Sequence, residues 1–257
     1  MGAPPPPVVV VSHDAEVLAA AVAARLLTRL VDAQAARGTV SVVLTGGGLG
    51  IAVLEQVRLS PARAAVDWRR VDVWWGDERF VPADDPQRNE LQARRALLDS
   101  LDLDPARVHP MGALGGRDGD DADAAADRYA DELAAVAPTH HLVPSFDVLL
   151  LGMGPEGHTA SIFPASPAAH DERAVLAIHG CPKPPPTRVS LGFSALNEAR
   201  EVWVVAAGSP KAPVVAMALG GAGRVLVPVA GVAGRQQTLF LLDEAAAAEL
   251  PRNLRRL

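Results

Sequence analysis

Three clusters in this 257-residue chain have residue types and placement suited to chemistry on a small anionic molecule. Thr45-Gly46-Gly47-Gly48 follows the apolar run Val40 to Leu44 and precedes a helical pattern. Backbone N–H groups in such a turn can approach an anion at the positive end of a helix. A tight turn that needs glycine only for its dihedrals would look the same. The turn does not match Gly-x-Gly-x-x-Gly, and no Gly-Lys-Ser/Thr follows, so neither a dinucleotide nor a P-loop nucleotide is supported. Trp74-Trp75-Gly76-Asp77-Glu78-Arg79 sets two carboxylates and a guanidinium at the end of another apolar run. Arg79 could hold a phosphate bidentately there, with a solvated charged loop as the alternative. The third cluster, Gly152-Met153-Gly154-Pro155-Glu156-Gly157-His158-Thr159, has alternate glycines that let backbone fold around a ligand while presenting one imidazole. Histidine suits general-base work near neutral pH, and Glu156 lies two residues away.

Arg188, opening Arg188-Val189-Ser190-Leu191, and Lys211, in Gly208-Ser209-Pro210-Lys211, could add positive charge to the same crevice. Surface placement is the default for any one such residue. Competing chemistries leave little trace: there is no Gly-x-Ser-x-Gly elbow and no His-Glu-x-x-His. His140-His141 has no third ligand type at metal spacing. No metal and no cofactor is expected.

The elements that must position these clusters alternate. Val8 to Val11 reads as a strand, with Ser12 or Asp14 able to cap the next helix. In that helix Leu18, Val22, Leu26 and Leu30 form an apolar stripe ending before Gly38. Val40 to Leu44 is a second strand, followed by a helix from about Leu49 to Leu59, and Val71 to Trp75 is a third strand. Helical patterns cover Asn89 to Leu98 and Asp121 to Val136, separated by a Gly- and Asp-rich loop. Further strands are expected at Phe146 to Leu151, Ala174 to Ile178, Arg188 to Leu191, Val202 to Ala206 and Thr238 to Leu241, with a helix from Ser209-Pro210 to about Leu219. Strand–helix alternation implies a Rossmann-like open, mainly parallel sheet with helices on both faces, in a single α/β domain. Cys181-Pro182-Lys183-Pro184-Pro185-Pro186 reads as a stiff surface loop within that domain. The domain is expected over residues 8–257, after a disordered leader at 1–7 containing Pro4 to Pro7.

Composition agrees. Hydrophobic residues are 49% and charged residues 21%, ordinary globular usage. Only 4% are aromatic, so the core is expected to consist of small aliphatic side chains between helices and sheet. The net charge of -6 argues against a nucleic-acid surface, and an anionic substrate must then meet a local basic pocket. The single cysteine, Cys181, can form no internal disulfide, which fits a reducing, cytoplasmic setting. The first residues lack a signal-peptide pattern, and Val8 to Val11 is far too short to span a bilayer.

Taken together with Phe80-Val81-Pro82 and Ala160-Ser161-Ile162-Phe163-Pro164, these clusters resemble the 6-phosphogluconolactonase family in order and spacing, over nearly the whole chain. The resemblance implies hydrolysis of 6-phospho-D-glucono-1,5-lactone to 6-phosphogluconate, the second step of the oxidative pentose phosphate pathway. It implies His158 as the general base, with Thr45, Gly46, Gly47, Gly48, Arg79, Arg188 and Lys211 binding phosphate and hydroxyls. Asp77, Gly157 and Thr159 fall in the same motifs, and Asn89 sits where the family has a site-proximal Asn. One departure is Glu156, where the family often carries Asp two residues before the histidine; it is taken with His158 into the catalytic set. The expected partner is a small sugar phosphate, with no nucleic acid or membrane, and the expected state is a monomer or weak homodimer.

Two other readings differ in class. Glucosamine-6-phosphate deaminase/isomerase looks like the same fold, but its proton shuttling needs a further carboxylate near the histidine, and no Asp or Glu lies between His158 and Asp171. A non-catalytic sugar-phosphate sensor of the regulator type needs a DNA-reading element, for which the chain leaves no room before Val8.

Overall fold

The structure is a computed structural model that describes residues 4–251 and Leu254. Residues 4–7 are exposed and precede the first strand without regular structure; the rest of the expected leader, residues 1–3, lies outside the described residues.

The strands β1 (Val8–Ser12), β2 (Val40–Leu44), β3 (Val71–Trp75), β5 (Val148–Leu151), β8 (Glu201–Ala206) and β9 (Gln237–Asp243) form one sheet in the order β1-β9-β8-β5-β2-β3. Every pairing in it is parallel. Parallel strands covered on both faces must be apolar on both, and the parity of the side chains shows this. Val43, Trp74, Leu149, Leu151, Val202 and Val204 join one core, while Val42, Leu44, Val148, Leu150, Trp203 and Val205 join the other.

The second core is closed by α1 (Ala15–Arg37), α2 (Gly47–Leu59) and α3 (Asn89–Ala96). Leu18, Val22, Leu26 and Leu30 are buried on α1 as their spacing requires, and Asp14 is the residue that caps it, accepting from Val17 N–H at 2.8 Å. The first core is covered by α4 (Ala122–Val136), α5 (Phe193–Leu196) and α6 (Ala212–Leu219). The expected open parallel sheet with helices on both faces is thus the observed architecture.

One part of the topology was not anticipated. Asp77–Arg79, expected as a polar cluster at a strand end, forms a short strand, β4, pairing antiparallel with β7 (Arg188–Leu191). On its other side β7 pairs antiparallel with β6 (Val175–Ile178). A triplet of charged residues carries no strand propensity of its own; β7 supplies the ladder. Strand β5 also starts two residues later than expected, because Asp147 turns its carboxylate back onto Ser41 N–H and Arg37.

Chain order reverses between β2 and β5: β2 leads to β3 on one side, whereas β5 leads to β8 and β9 on the other. Ligands in open α/β sheets bind beyond the carboxyl ends of the strands at such a switch point. The Thr45–Gly48 turn leaves β2 there and the Gly152–His158 loop leaves β5.

Candidate active site

The two loops are tied together across the switch point. Thr45 Oγ1 accepts from Gly152 N–H at 3.3 Å, and the buried Thr159 hydroxyl donates to the Gly152 carbonyl at 3.1 Å. Between them, Thr45 to Gly50, Gly152, Met153 and Lys211 line a cavity of about 320 Å³. The helix α2 begins within the glycine turn, two residues earlier than its apolar pattern suggested, so its first N–H groups lie in the cavity wall. Lys211 is anchored by a 2.8 Å bond from Nζ to the Met153 carbonyl. Burial, and the nearby charge of Lys183, lower the Lys211 pKa. A helix N-terminus and an ammonium on one cavity suit a phosphate group.

Gly46 permits a close approach: a Cβ there would lie 1.8 Å from Asn89 Oδ1. Asn89 is buried at the start of α3, its Nδ2 donating to the Asp77 carbonyl at 2.8 Å. Asn89 Oδ1 has no hydrogen-bond partner. An unpaired buried acceptor is uncommon in a folded protein, and this one packs against the glycine turn. Glu78 accepts from the backbone N–H groups of Arg79, Asn89 and Glu90 at 2.7–2.8 Å, so it fixes the β4–α3 connection from within. Burial raises the Glu78 pKa against the opposing pull of Arg88 and these donors. Asp77 is also buried and accepts from the Ser161 hydroxyl at 2.7 Å.

The two guanidinium groups expected to bind phosphate differ in their commitments. Arg79 donates through Nη1 to the Gln87 carbonyl and is partly exposed. Arg188 is buried and donates from Nε to the Pro185 carbonyl and from Nη2 to those of Lys183 and Pro184, while Nη1 lies 3.9 Å from Asp77.

His158 projects from a turn closed by Gly157 N–H to the Gly154 carbonyl and by Gly154 N–H to the His158 carbonyl, both at 3.0 Å. Its ring stacks on Phe163 with centroids 4.4 Å apart. Nδ1 lies 2.7 Å from Glu156 Oε1, so the longer glutamate side chain does reach the imidazole. A Cβ on Gly154 would stand 2.1 Å from that same Nδ1, which leaves glycine as the residue that fits beneath the pair. Since a carboxylate only accepts, this contact places the proton on Nδ1 and leaves the lone pair on Nε2. Burial lowers the His158 pKa, with Glu156 pulling the other way. Burial raises the Glu156 pKa, but the hydrogen bond from Lys183 and the contact with His158 outweigh it and hold the carboxyl at about 2.

Thr45, Gly46, Gly47, Gly48 and Lys211 thus share one cavity, and Gly157 and Thr159 shape the loop that carries His158 and Glu156. Asp77, Arg79 and Asn89 meet at the β4–α3 corner beside it. Two residues were not singled out from the sequence. Lys183 sits in a proline-rich loop with no local pattern to mark it, and Ser161 serves Asp77 from within the Gly-His-Thr-Ala-Ser run. Among the described residues, no group of three or more His, Cys, Asp or Glu is arranged to hold a metal ion.

Comparison with known proteins agrees with the geometry. Residues 13–241 match the family described as glucosamine-6-phosphate isomerases/6-phosphogluconolactonase. A 6-phosphogluconolactonase of Streptomyces coelicolor is 58% identical over 247 residues, 95% of either chain. Its namesake in Mycobacterium tuberculosis is 51% identical, over 93% of this chain and 96% of the other. Among solved structures, the 6-phosphogluconolactonase of Trypanosoma brucei superposes with a TM-score of 0.83 at 30% identity, over 95% of this chain and 99% of that one.

Proposed function

The chain belongs to the glucosamine-6-phosphate isomerase/6-phosphogluconolactonase family, and from that premise we propose that the cavity at the switch point hydrolyses a phosphorylated sugar lactone with His158 as general base. The protein is a 6-phosphogluconolactonase in activity: it converts 6-phospho-D-glucono-1,5-lactone to 6-phosphogluconate. The observation that carries the mechanism is the Glu156–His158 contact of 2.7 Å, on the same loop whose Gly152 and Met153 line the cavity.

In this reading the substrate phosphate lies against the glycine turn, the first N–H groups of α2 and Lys211. Arg79 supplies a further contact, and Asn89 Oδ1 accepts from a sugar hydroxyl. Nε2 of His158 takes a proton from a water as its oxygen bonds to the lactone carbonyl carbon. The carbonyl π electrons move onto oxygen, giving a tetrahedral oxyanion that preorganised N–H donors of the glycine loops stabilise. Collapse restores the carbonyl and breaks the bond to the ring oxygen, which receives the proton from the imidazolium. The product is the open carboxylic acid, and the base is regenerated. Arg188 is assigned to holding the loop at Lys183–Pro185, given the carbonyls it serves, and not to the phosphate itself.

No described helix is long and apolar enough to cross a membrane. A cytoplasmic setting and a monomer or weak homodimer are proposed with this activity. Purified, EDTA-treated protein is expected to accelerate opening of freshly made 6-phosphogluconolactone over its spontaneous rate and to leave glucosamine 6-phosphate untouched. His158→Ala is expected to lower turnover by roughly 10²- to 10⁴-fold with little change in KM. Retention of turnover in that variant would remove His158 as the base, and activity on the amino sugar alone would point to deamination.

A further inference from the structure

The loop Cys181–Pro186 comes from between β6 and β7 and is remote in sequence from the His158 turn. It nevertheless delivers one cation to that turn. Lys183 Nζ lies 2.8 Å from Glu156 Oε1 and 3.0 Å from Glu156 Oε2, so the ammonium straddles the carboxylate whose Oε1 faces His158 Nδ1 at 2.7 Å. The loop is held in turn. The buried Arg188 guanidinium donates to the carbonyls of Lys183, Pro184 and Pro185, and Cys181 N–H donates to the Pro186 carbonyl at 2.8 Å. A surface ion pair between mobile side chains contributes little. This one differs because its backbone is pinned and its acceptor already serves a second donor.

We propose that Lys183 is a positioning residue of the general base: from a loop clamped by Arg188 it fixes the Glu156 carboxylate against His158 Nδ1, and it sets both the orientation and the working pH of the imidazole. The proposal rests on the lactonase reading of the site and extends it from a pair to a relay, Lys183–Glu156–His158.

Two effects follow from the geometry. A glutamate has one more rotatable bond than an aspartate, and an unrestrained carboxylate would sample positions away from Nδ1. Bridging by the ammonium removes that freedom, which is how Glu156 can serve as an orienting group here. The second effect is electrostatic. The charged groups acting on His158 are Glu156 and Asp77, which favour the imidazolium, and Lys183, which opposes it. Lys211, anchored on the Met153 carbonyl, feels the charges of Lys183 and Glu156. With Lys183 in place the carboxylate is shared between two cations, and less of its charge stabilises protonated His158.

The experiment combines kinetics with an NMR titration of the His158 ring in Lys183→Gln, Lys183→Arg, Glu156→Gln and the double variant Lys183→Gln/Glu156→Gln. Removing the ammonium is expected to raise the His158 pKa and to move the acid limb of the kcat/KM profile upward by about half to one pH unit. At neutral pH kcat is expected to fall roughly tenfold, with KM changed less than twofold. Lys183→Arg is expected to restore most of the turnover and the pH profile, because a guanidinium can bridge the same carboxylate. In the Glu156→Gln background, Lys183→Gln is expected to have little further effect on kcat, the non-additivity of groups that act as a unit.

A raised KM with an unmoved His158 titration would overturn the proposal and make Lys183 a substrate contact. So would independent, multiplicative losses in the double variant. Failure of the lactonase reading would show separately, as wild-type protein without lactone hydrolysis, whereas the ring titration tests the relay without any turnover.

Discussion

Burial of the His158 imidazole works against the charge that Glu156 would otherwise stabilise on it, and the outcome is a pKa below the ordinary value. A general base must be unprotonated, so activity is present above that pKa and lost as pH falls through it. The acid limb of kcat/KM is therefore expected below the ordinary imidazole value of about 6.5, which a pH–rate profile on the lactone measures. Glu156→Gln removes the group that raises the His158 pKa and keeps Nδ1 protonated. Its acid limb is expected to move further down while kcat falls about 10²-fold, since a mis-held tautomer wastes the base. An acid limb that rose in this variant would contradict the assignment of Glu156.

At the scale of elements, the site depends on connections that contain no reacting group. Strand β3 carries the chain to Asp77, and its far side is tied to α4 through His109. That ring stacks on Trp74 with centroids 3.7 Å apart and its Nδ1 lies 2.7 Å from Glu132. Asp72 is 3.7 Å from Nε2 and is itself paired with Arg107. Burial lowers the His109 pKa, but its two carboxylate partners outweigh this and raise it overall. A folded-state pKa above the unfolded value means that protonated His109 contributes its full stabilisation below about pH 6.5 and loses it as pH rises through the folded pKa. The difference in Tm between the wild type and His109→Gln is thus expected to be larger at pH 6 than at pH 9, by calorimetry at both values. A difference that grew toward alkaline pH would place the charge elsewhere. Gly46 and Asn89 illustrate the same dependence on packing: the turn after β2 and the start of α3 approach so closely that only glycine fits.

For the whole molecule, a parallel sheet covered on both faces provides a rigid frame, and the proposed ligand cavity lies where the strand order reverses. The loops of the site belong to β2, β3, β5, β7 and α6, so a bound product would bridge segments that separate on unfolding. A ligand that binds only the folded state at 100 times its Kd stabilises by about 2.7 kcal/mol, and a chain of this size gains roughly 2–4 °C in Tm per kcal/mol. 6-Phosphogluconate at that excess is expected to raise Tm by about 5–10 °C in thermal unfolding. Lys211→Ala is expected to need a higher concentration for the same rise, whereas an identical dose response would take Lys211 out of the phosphate site.

Local patterns determined a great deal here. Apolar runs buried on both faces, such as Val40 to Leu44, marked the parallel strands, and the stripe Leu18, Val22, Leu26, Leu30 marked α1, because burial imposes those periods wherever the element sits. Glycines at strand ends marked the loops of the proposed site, since only a residue without a side chain can sit as close to Asn89 and His158 as Gly46 and Gly154 do. What the sequence by itself did not determine was long-range pairing. The strand Asp77–Arg79 exists because β7 comes alongside it, and Lys183 joins Glu156 because Arg188 folds a proline-rich loop across the switch point. Such contacts join residues with no periodic relation along the chain. Only the tertiary structure decides them, because their energy depends on which segments the fold brings within a few ångströms.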